Sequence, residues 1–229
     1  MRFLMCRSIA AAVRQAPPPL PFRTLLFCAA LFFSLLRPAP PGFAADGDTD
    51  AALRRIRTLT SSINTLRCSF TQTTAVPMFT EPVVSEGRLF FKKPDSLLWE
   101  YTAPYPQGLV FSGGKGFRWE DDKNRRKPFT TSGDPVAGLI ASQMSAWIRF
   151  DRDLIESRYV IRADDREALT FELTPKSAEL RSVLVSLRIT FADNGAARSV
   201  LLRERAGGST LVRLHDMVVN GLLEDREFR

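Results

Sequence analysis

The stretch Glu86–Tyr101 reads EGRLFFKKPDSLLWEY. Two runs of alternating apolar residues flank the turn signal Lys93-Pro94-Asp95, which is the pattern of a β-hairpin. A period of two puts Leu89, Phe91 and Lys93 on one face, and Arg88, Phe90 and Lys92 on the other. Past the turn, Leu97, Trp99 and Tyr101 share a face opposite Leu98, Glu100 and Thr102. Arg88 and Glu100 mark the sides expected to meet water. Leu89, Phe91, Leu97, Trp99 and Tyr101 are therefore predicted to point inward, with Lys93 at the rim of that side.

The same alternation continues outward from this hairpin. It predicts strands at about 67–75, 83–92, 96–102, 107–112, 116–120, 157–163, 167–174, 182–192, 197–205 and 209–219. Short turn signals separate them at 112–114 (Ser-Gly-Gly), 193–195 (Asp-Asn-Gly), 207–208 (Gly-Gly) and 220–221 (Asn-Gly), so an antiparallel meander is expected. Before the first strand, Ala52, Leu53, Ile56, Leu59, Ile63 and Leu66 recur at helical spacing. They predict an amphipathic helix over 51–66, capped by Asp48, Thr49 or Asp50. A second helix is predicted from Asp134-Pro135, with Val136, Leu139, Ile140, Met144, Trp147 and Ile148 on one stripe, and a third helix or turn from Pro175. The fold class is mainly β (α+β): a strongly curved antiparallel sheet or incomplete barrel covered by two or three helices. Such a sheet has a concave face that must be filled, covered or left to a ligand.

Residues 25–36 (LLFCAALFFSLL) follow Arg23 and precede the small residues Gly42, Ala44 and Ala45, the layout of a cleaved secretory signal peptide. The run is too short for a membrane span, which needs ~20 residues. The chain is thus expected to divide into a signal peptide, 1–44, and a single exported domain, 45–229. The leader holds five arginines and no acid. Without it 27 basic and 25 acidic residues remain, and the net charge falls from +7 to +2. The basic balance belongs to the leader, and no nucleic-acid partner is inferred from it. Cys6 and Cys28 leave with the leader, so Cys68 stays without a disulfide partner.

Catalytic and metal chemistry find little support in the residue inventory. Hydrolysis needs a nucleophile beside a base, yet the single histidine, His215, sits in an alternating strand and reads as a surface or edge residue. One His and one remaining Cys make a zinc site improbable, and neither metal nor cofactor is expected. The run from Ser112 to Gly116 lacks the spacing and following helix of a phosphate loop, and reads as a hairpin turn. No catalytic residue is assigned. Apolar surface is left as the working part.

Several motifs in order resemble the periplasmic outer-membrane lipoprotein carrier family, LolA. They are Ser69-Phe70-Thr71-Gln72, the run Gly87 to Pro94, Trp99, Pro104, the glycine hairpin at 112–115 and, more loosely, Leu173-Thr-Pro175 and the closing segment Asn220 to Phe228. The resemblance implies an incomplete barrel lidded by helices, a monomer that shields lipoprotein acyl chains while carrying them across the periplasm. It implies loading by an ATP-driven inner-membrane complex and delivery to an outer-membrane receptor. The expected ligand-binding set is Phe70, Leu89, Phe91, Leu97, Trp99, Tyr101, Phe111 and Phe117, under a lid of Leu139, Ile140, Met144 and Trp147 that Lys93 touches. The chain departs from the family in having Lys93 where an arginine is usual, Leu97 at an aromatic position, and only Phe117 and Trp119 after the glycine hairpin. A carrier of another lipid or glycolipid, or a partner-binding protein of the same fold, remain alternatives.

Overall fold

A computed structural model describes residues 47–120, 122, 124–130, 132–133, 148, 150–164 and 167–229. The expected leader (1–44) and the expected lid residues Leu139, Ile140, Met144 and Trp147 lie outside the described residues.

Among the described residues eleven strands form one sheet: β1 Thr65–Ala75, β2 Val83–Lys92, β3 Ser96–Ala103, β4 Gln107–Ser112, β5 Lys115–Glu120, β6 Lys127–Thr130, β7 Tyr159–Asp164, β8 Thr170–Pro175, β9 Leu184–Phe191, β10 Ala197–Glu204 and β11 Ser209–Val219. Their order is β6-β5-β4-β3-β2-β1-β11-β10-β9-β8-β7, with every adjacent pair antiparallel. Two meanders, one from each half of the chain, are thus joined where the first strand pairs with the last. β6 and β7 are left as the two edges of a curved, open sheet. The expected class is therefore the observed one. β6 was not anticipated, because its four residues, KPFT, carry a lysine and a proline and too short an alternation to read. Pro128 cannot donate to a ladder, which suits an edge.

Helix α1, Gly47–Ser61, begins and ends earlier than the sequence pattern predicts. Thr49 is not its cap: it lies inside the helix, and its hydroxyl accepts from the Ala163 amide of β7 at 3.4 Å. At the other end, Ser61 and Ser62 turn their hydroxyls back to the carbonyls of Thr58 and Leu59 at 2.7 and 2.8 Å. Such local bonds compete with helix continuation. Ile63 and Leu66 keep the apolar spacing but belong to the connection and to β1. Helix α2, Arg152–Arg158, starts at an Asp151 cap, and only its last two residues, Ser157 and Arg158, fall where a strand was expected to open. Helix α3, Ala178–Val183, is capped by Ser177, shortly after the Pro175 where a helix or turn was expected.

One face of the sheet carries two apolar clusters. The first gathers Leu66, Cys68, Phe70, Leu89, Phe91, Leu97, Tyr101, Leu109, Phe111, Phe129, Val212 and Leu214; the second gathers Phe171, Leu173, Leu187, Ile189, Phe191 and Leu202 beneath Ala52, Leu53 and Ile56 of α1. Val200 packs against both, and pairs with Val212 on one side and Ile189 on the other. The two clusters therefore lie on the same face, called inner below, and α1 covers its second half.

The opposite, outer face departs from expectation. Phe90, Leu98, Val110 and Trp119 are buried there against Leu223 and Phe228 of the chain's end, where Asp225–Phe228 forms a 3-10 turn. Lys92 ties this segment down, donating to the Leu223 carbonyl at 3.1 Å and to Asp225 at 2.6 Å. Glu100, expected to meet water, is only 7 % exposed and pairs with Arg88.

Candidate functional site: the inner face of the first half-sheet

Strand register arranges the inner residues of β1 to β5 in rows that cross the sheet. The first row runs Leu66, Phe91, Leu97, Phe111, then Gly116 of β5 and Phe129 of β6. The second runs Cys68, Leu89, Trp99, Leu109 and Arg118. The third runs Phe70, Gly87, Tyr101, Gln107 and Glu120, and the fourth begins with Gln72 and Ser85. Polarity thus rises from the first row to the fourth.

The first row is closed. Leu66, Phe91, Leu97 and Phe111 are each no more than 3 % exposed, as are Leu89 and Phe70. Burying such a side chain contributes about 1.5–3 kcal/mol, so these residues hold the fold together in this state. Phe70 can lie across β2 because position 87 is glycine; a Cβ there would run into the Phe70 ring and the Glu100 carbonyl. The Phe70 ring then stacks, tilted, 4.6 Å from Trp99 and meets Tyr101 edge-on at 5.2 Å. Aromatic pairs of this kind contribute about 0.5–1.5 kcal/mol beyond burial.

Two polar features interrupt the apolar surface. The Tyr101 hydroxyl donates to Gln72 Oε1 at 2.8 Å, and Gln72 Nε2 donates to Thr74 Oγ1 at 3.2 Å. The Trp99 indole N–H, in contrast, is buried and meets no acceptor among the described residues. A buried donor left unmade costs about 1–3 kcal/mol. The thiol of Cys68 is pushed up to about 12 by burial, so it stays protonated and unreactive at neutral pH.

Of the sequence-predicted lining, Phe70, Leu89, Phe91, Leu97, Trp99, Tyr101 and Phe111 come together on this face. Phe117 does not. It pairs with Val110, an outer-face residue, and is 38 % exposed, so the inner positions of β5 are Gly116 and Arg118 instead. Lys93 donates its ammonium to the Ser61 carbonyl at 2.6 Å and its amide to the Asn64 carbonyl at 2.8 Å, which fixes the C-terminal end of α1 to the β2–β3 turn. A cation at a helix C-terminus is well placed against the helix dipole. Cys68, Leu109, Phe129 and Val212 were missed, although the alternation of β1, β4 and β11 carried the signal. Gln72 was also missed as a site residue, yet it stands two positions from Phe70 in the same motif. His215 contacts Thr71 Oγ1 at 3.3 Å and Asp216 Oδ2 at 2.7 Å. It pairs opposite Ser69, on the side of β1 away from Phe70, and so does not face this site.

The comparison with protein families decides the kinship. Residues 61–229 match the family described as outer membrane lipoprotein carrier protein LolA. The chain belongs to this family. The resemblance read from Ser69–Gln72 and Gly87–Pro94 is thereby borne out. An outer-membrane lipoprotein carrier protein of Chromohalobacter salexigens is 30 % identical over 146 residues, covering 63 % of this chain and 65 % of the relative. The chain thus spans just under two thirds of that relative's length. A carrier protein of the same description from Methylococcus capsulatus is 29 % identical over 154 residues, covering 64 % of this chain and 69 % of its own. Among solved structures, a LolA superfamily protein of Nitrosomonas europaea aligns at a TM-score of 0.42 with 12 % identity, over 79 % of this chain and 97 % of its own.

Proposed function

We propose that this chain is a periplasmic carrier that shields the acyl chains of lipoproteins against its inner face and moves them from the inner to the outer membrane. The observation that supports this reading is a continuous apolar, aromatic-rich face on an open sheet, in a member of the lipoprotein carrier family. Each methylene moved out of water contributes about 0.8 kcal/mol. A long acyl chain therefore leaves a membrane too slowly unaided, and a protein surface of comparable apolarity supplies somewhere for it to go.

On this reading Phe70, Leu89, Phe91, Leu97, Trp99, Tyr101 and Phe111 contact the chains, and the closed first row opens when cargo enters. Loading by an ATP-driven inner-membrane complex and unloading at an outer-membrane receptor belong to the same proposal, as do export by a cleaved signal peptide, a single domain over 45–229 and a monomeric carrier. No catalytic step is proposed: the inner-face thiol is held protonated, and His215 lies on the other side of the sheet.

Mass spectrometry of molecules extracted from the protein purified from its native periplasm tests the proposal. Acylated peptides are expected. Free phospholipid or glycolipid in their place would assign it a different cargo, and an empty protein would leave partner binding as the role of the fold.

A further inference from the structure

The buried, unpartnered Trp99 N–H and the rising polarity of the rows have a common explanation. Trp99 stands in the second row between Leu89 and Leu109, and its ring lies against Phe70 and Tyr101 of the third. The indole therefore lies between the wholly apolar first row and the polar end formed by Tyr101, Gln72 and Thr74. Hydrocarbon alone offers this donor nothing. A carbonyl oxygen at the head of a hydrocarbon chain would complete it, because indole N–H can only donate.

We propose that the inner face binds an acyl amphiphile in one orientation, with the chains along the first row and an ester or amide carbonyl accepting a hydrogen bond from Trp99 Nε1. The head of the molecule then lies toward Gln72 and Thr74, whose polar atoms are already paired with their neighbours and can exchange those bonds for bonds to the head. This inference rests on the carrier reading above and adds to it an orientation and the residue that reads it: Trp99 recognises the carbonyl that joins an acyl chain to its head, which an ether-linked chain lacks. It makes Trp99 the residue that sets the depth at which the chains stop.

The test compares two synthetic lipopeptides in the same detergent micelles, one with two palmitoyl esters on a thioether-linked glycerol, the other with two hexadecyl ethers. The wild-type protein is expected to bind the ester form about five- to tenfold more tightly, the size of one buried hydrogen bond. In Trp99→Phe, which keeps an aromatic ring, the ratio should fall close to one. The wild-type indole proton of Trp99, assigned by its loss in that variant, should move downfield with the ester and not with the ether. The shift itself is measured on the wild-type protein. Equal affinities for the two lipopeptides, or a ratio unchanged in Trp99→Phe, would overturn the orientation while leaving the carrier reading in place. Binding of neither lipopeptide by the wild-type protein would remove both.

Discussion

Phe91 and Phe117 show what decides a residue's part in this protein. Both are phenylalanines in strands, yet Phe91 is 1 % exposed in the inner cluster and Phe117 is 38 % exposed on the outer side. Phe91→Ala is expected to lower unfolding free energy by about 3–5 kcal/mol in urea titrations, whereas Phe117→Ala should stay within about 0.5 kcal/mol of wild type. A charged residue at position 91 would unfold the protein before it reported on cargo, which is why Trp99, only half-buried, is the better probe. Cys68 gives an independent measure. With its thiol held up near 12 and buried, iodoacetamide at pH 8 should label it only through unfolding, so the labelling rate should rise with urea in step with the unfolded fraction. Parity along one hairpin was legible in the sequence, and it placed Leu89, Phe91, Leu97, Trp99 and Tyr101 correctly. Phe117 was not legible, because alternation within β5 separates two faces without saying which is inner. Only its register against Val110 supplies that.

At the scale of elements, the chain's end matters more than its length suggests. Asp225–Phe228 closes the outer face over Phe90, Leu98, Val110 and Trp119, and Lys92 holds Asp225. The hydrogen bond from Lys92 and its charge lower the Asp225 carboxyl below the 3.8 of an ordinary aspartate. A carboxyl that binds its proton less readily when folded favours the docked segment above the ordinary range and loses that contribution as the pH falls through its lowered value. Amide exchange of Phe228 should therefore be unchanged between pH 7 and 5 once the intrinsic rate is removed, and should accelerate only below the usual carboxylate range. In Asp225→Asn that acid-induced acceleration should be absent. The sequence pattern concealed this cover, since Arg88 and Glu100 read as a solvated face while the apolar residues that lie over it are more than a hundred positions away. It also concealed the break in β11. Asp216, with a positive φ of 52°, lies where the pairing with β1 shifts register between Arg67 and Ser69. Inward residues there change from even numbers, Val212 and Leu214, to odd ones, Met217 and Val219. A bulge of this kind erases simple alternation.

For the whole molecule, the pairing of β1 with β11 joins the halves through nine aligned residue pairs, and Val200 packs against both inner clusters. The two inner clusters meet at Val200 on one continuous sheet, so tryptophan fluorescence and far-ultraviolet circular dichroism should trace one coincident urea transition rather than two. The meander, its turns and the mixed class were readable from local signals. The strand order was not, because turn chemistry specifies neighbours along the chain and says nothing about which strand meets the first. That β6 and β7 are the sheet's two edges among the described residues has a mechanical consequence. In a closed barrel the circumference is locked by its ladder, and widening it means rupturing inter-strand bonds. A sheet with two free margins can uncurl by adding a few degrees of rotation between each pair of strands, with every ladder bond intact. The room available over the inner face is then a soft coordinate, adjusted by bending the whole sheet rather than by breaking any part of it.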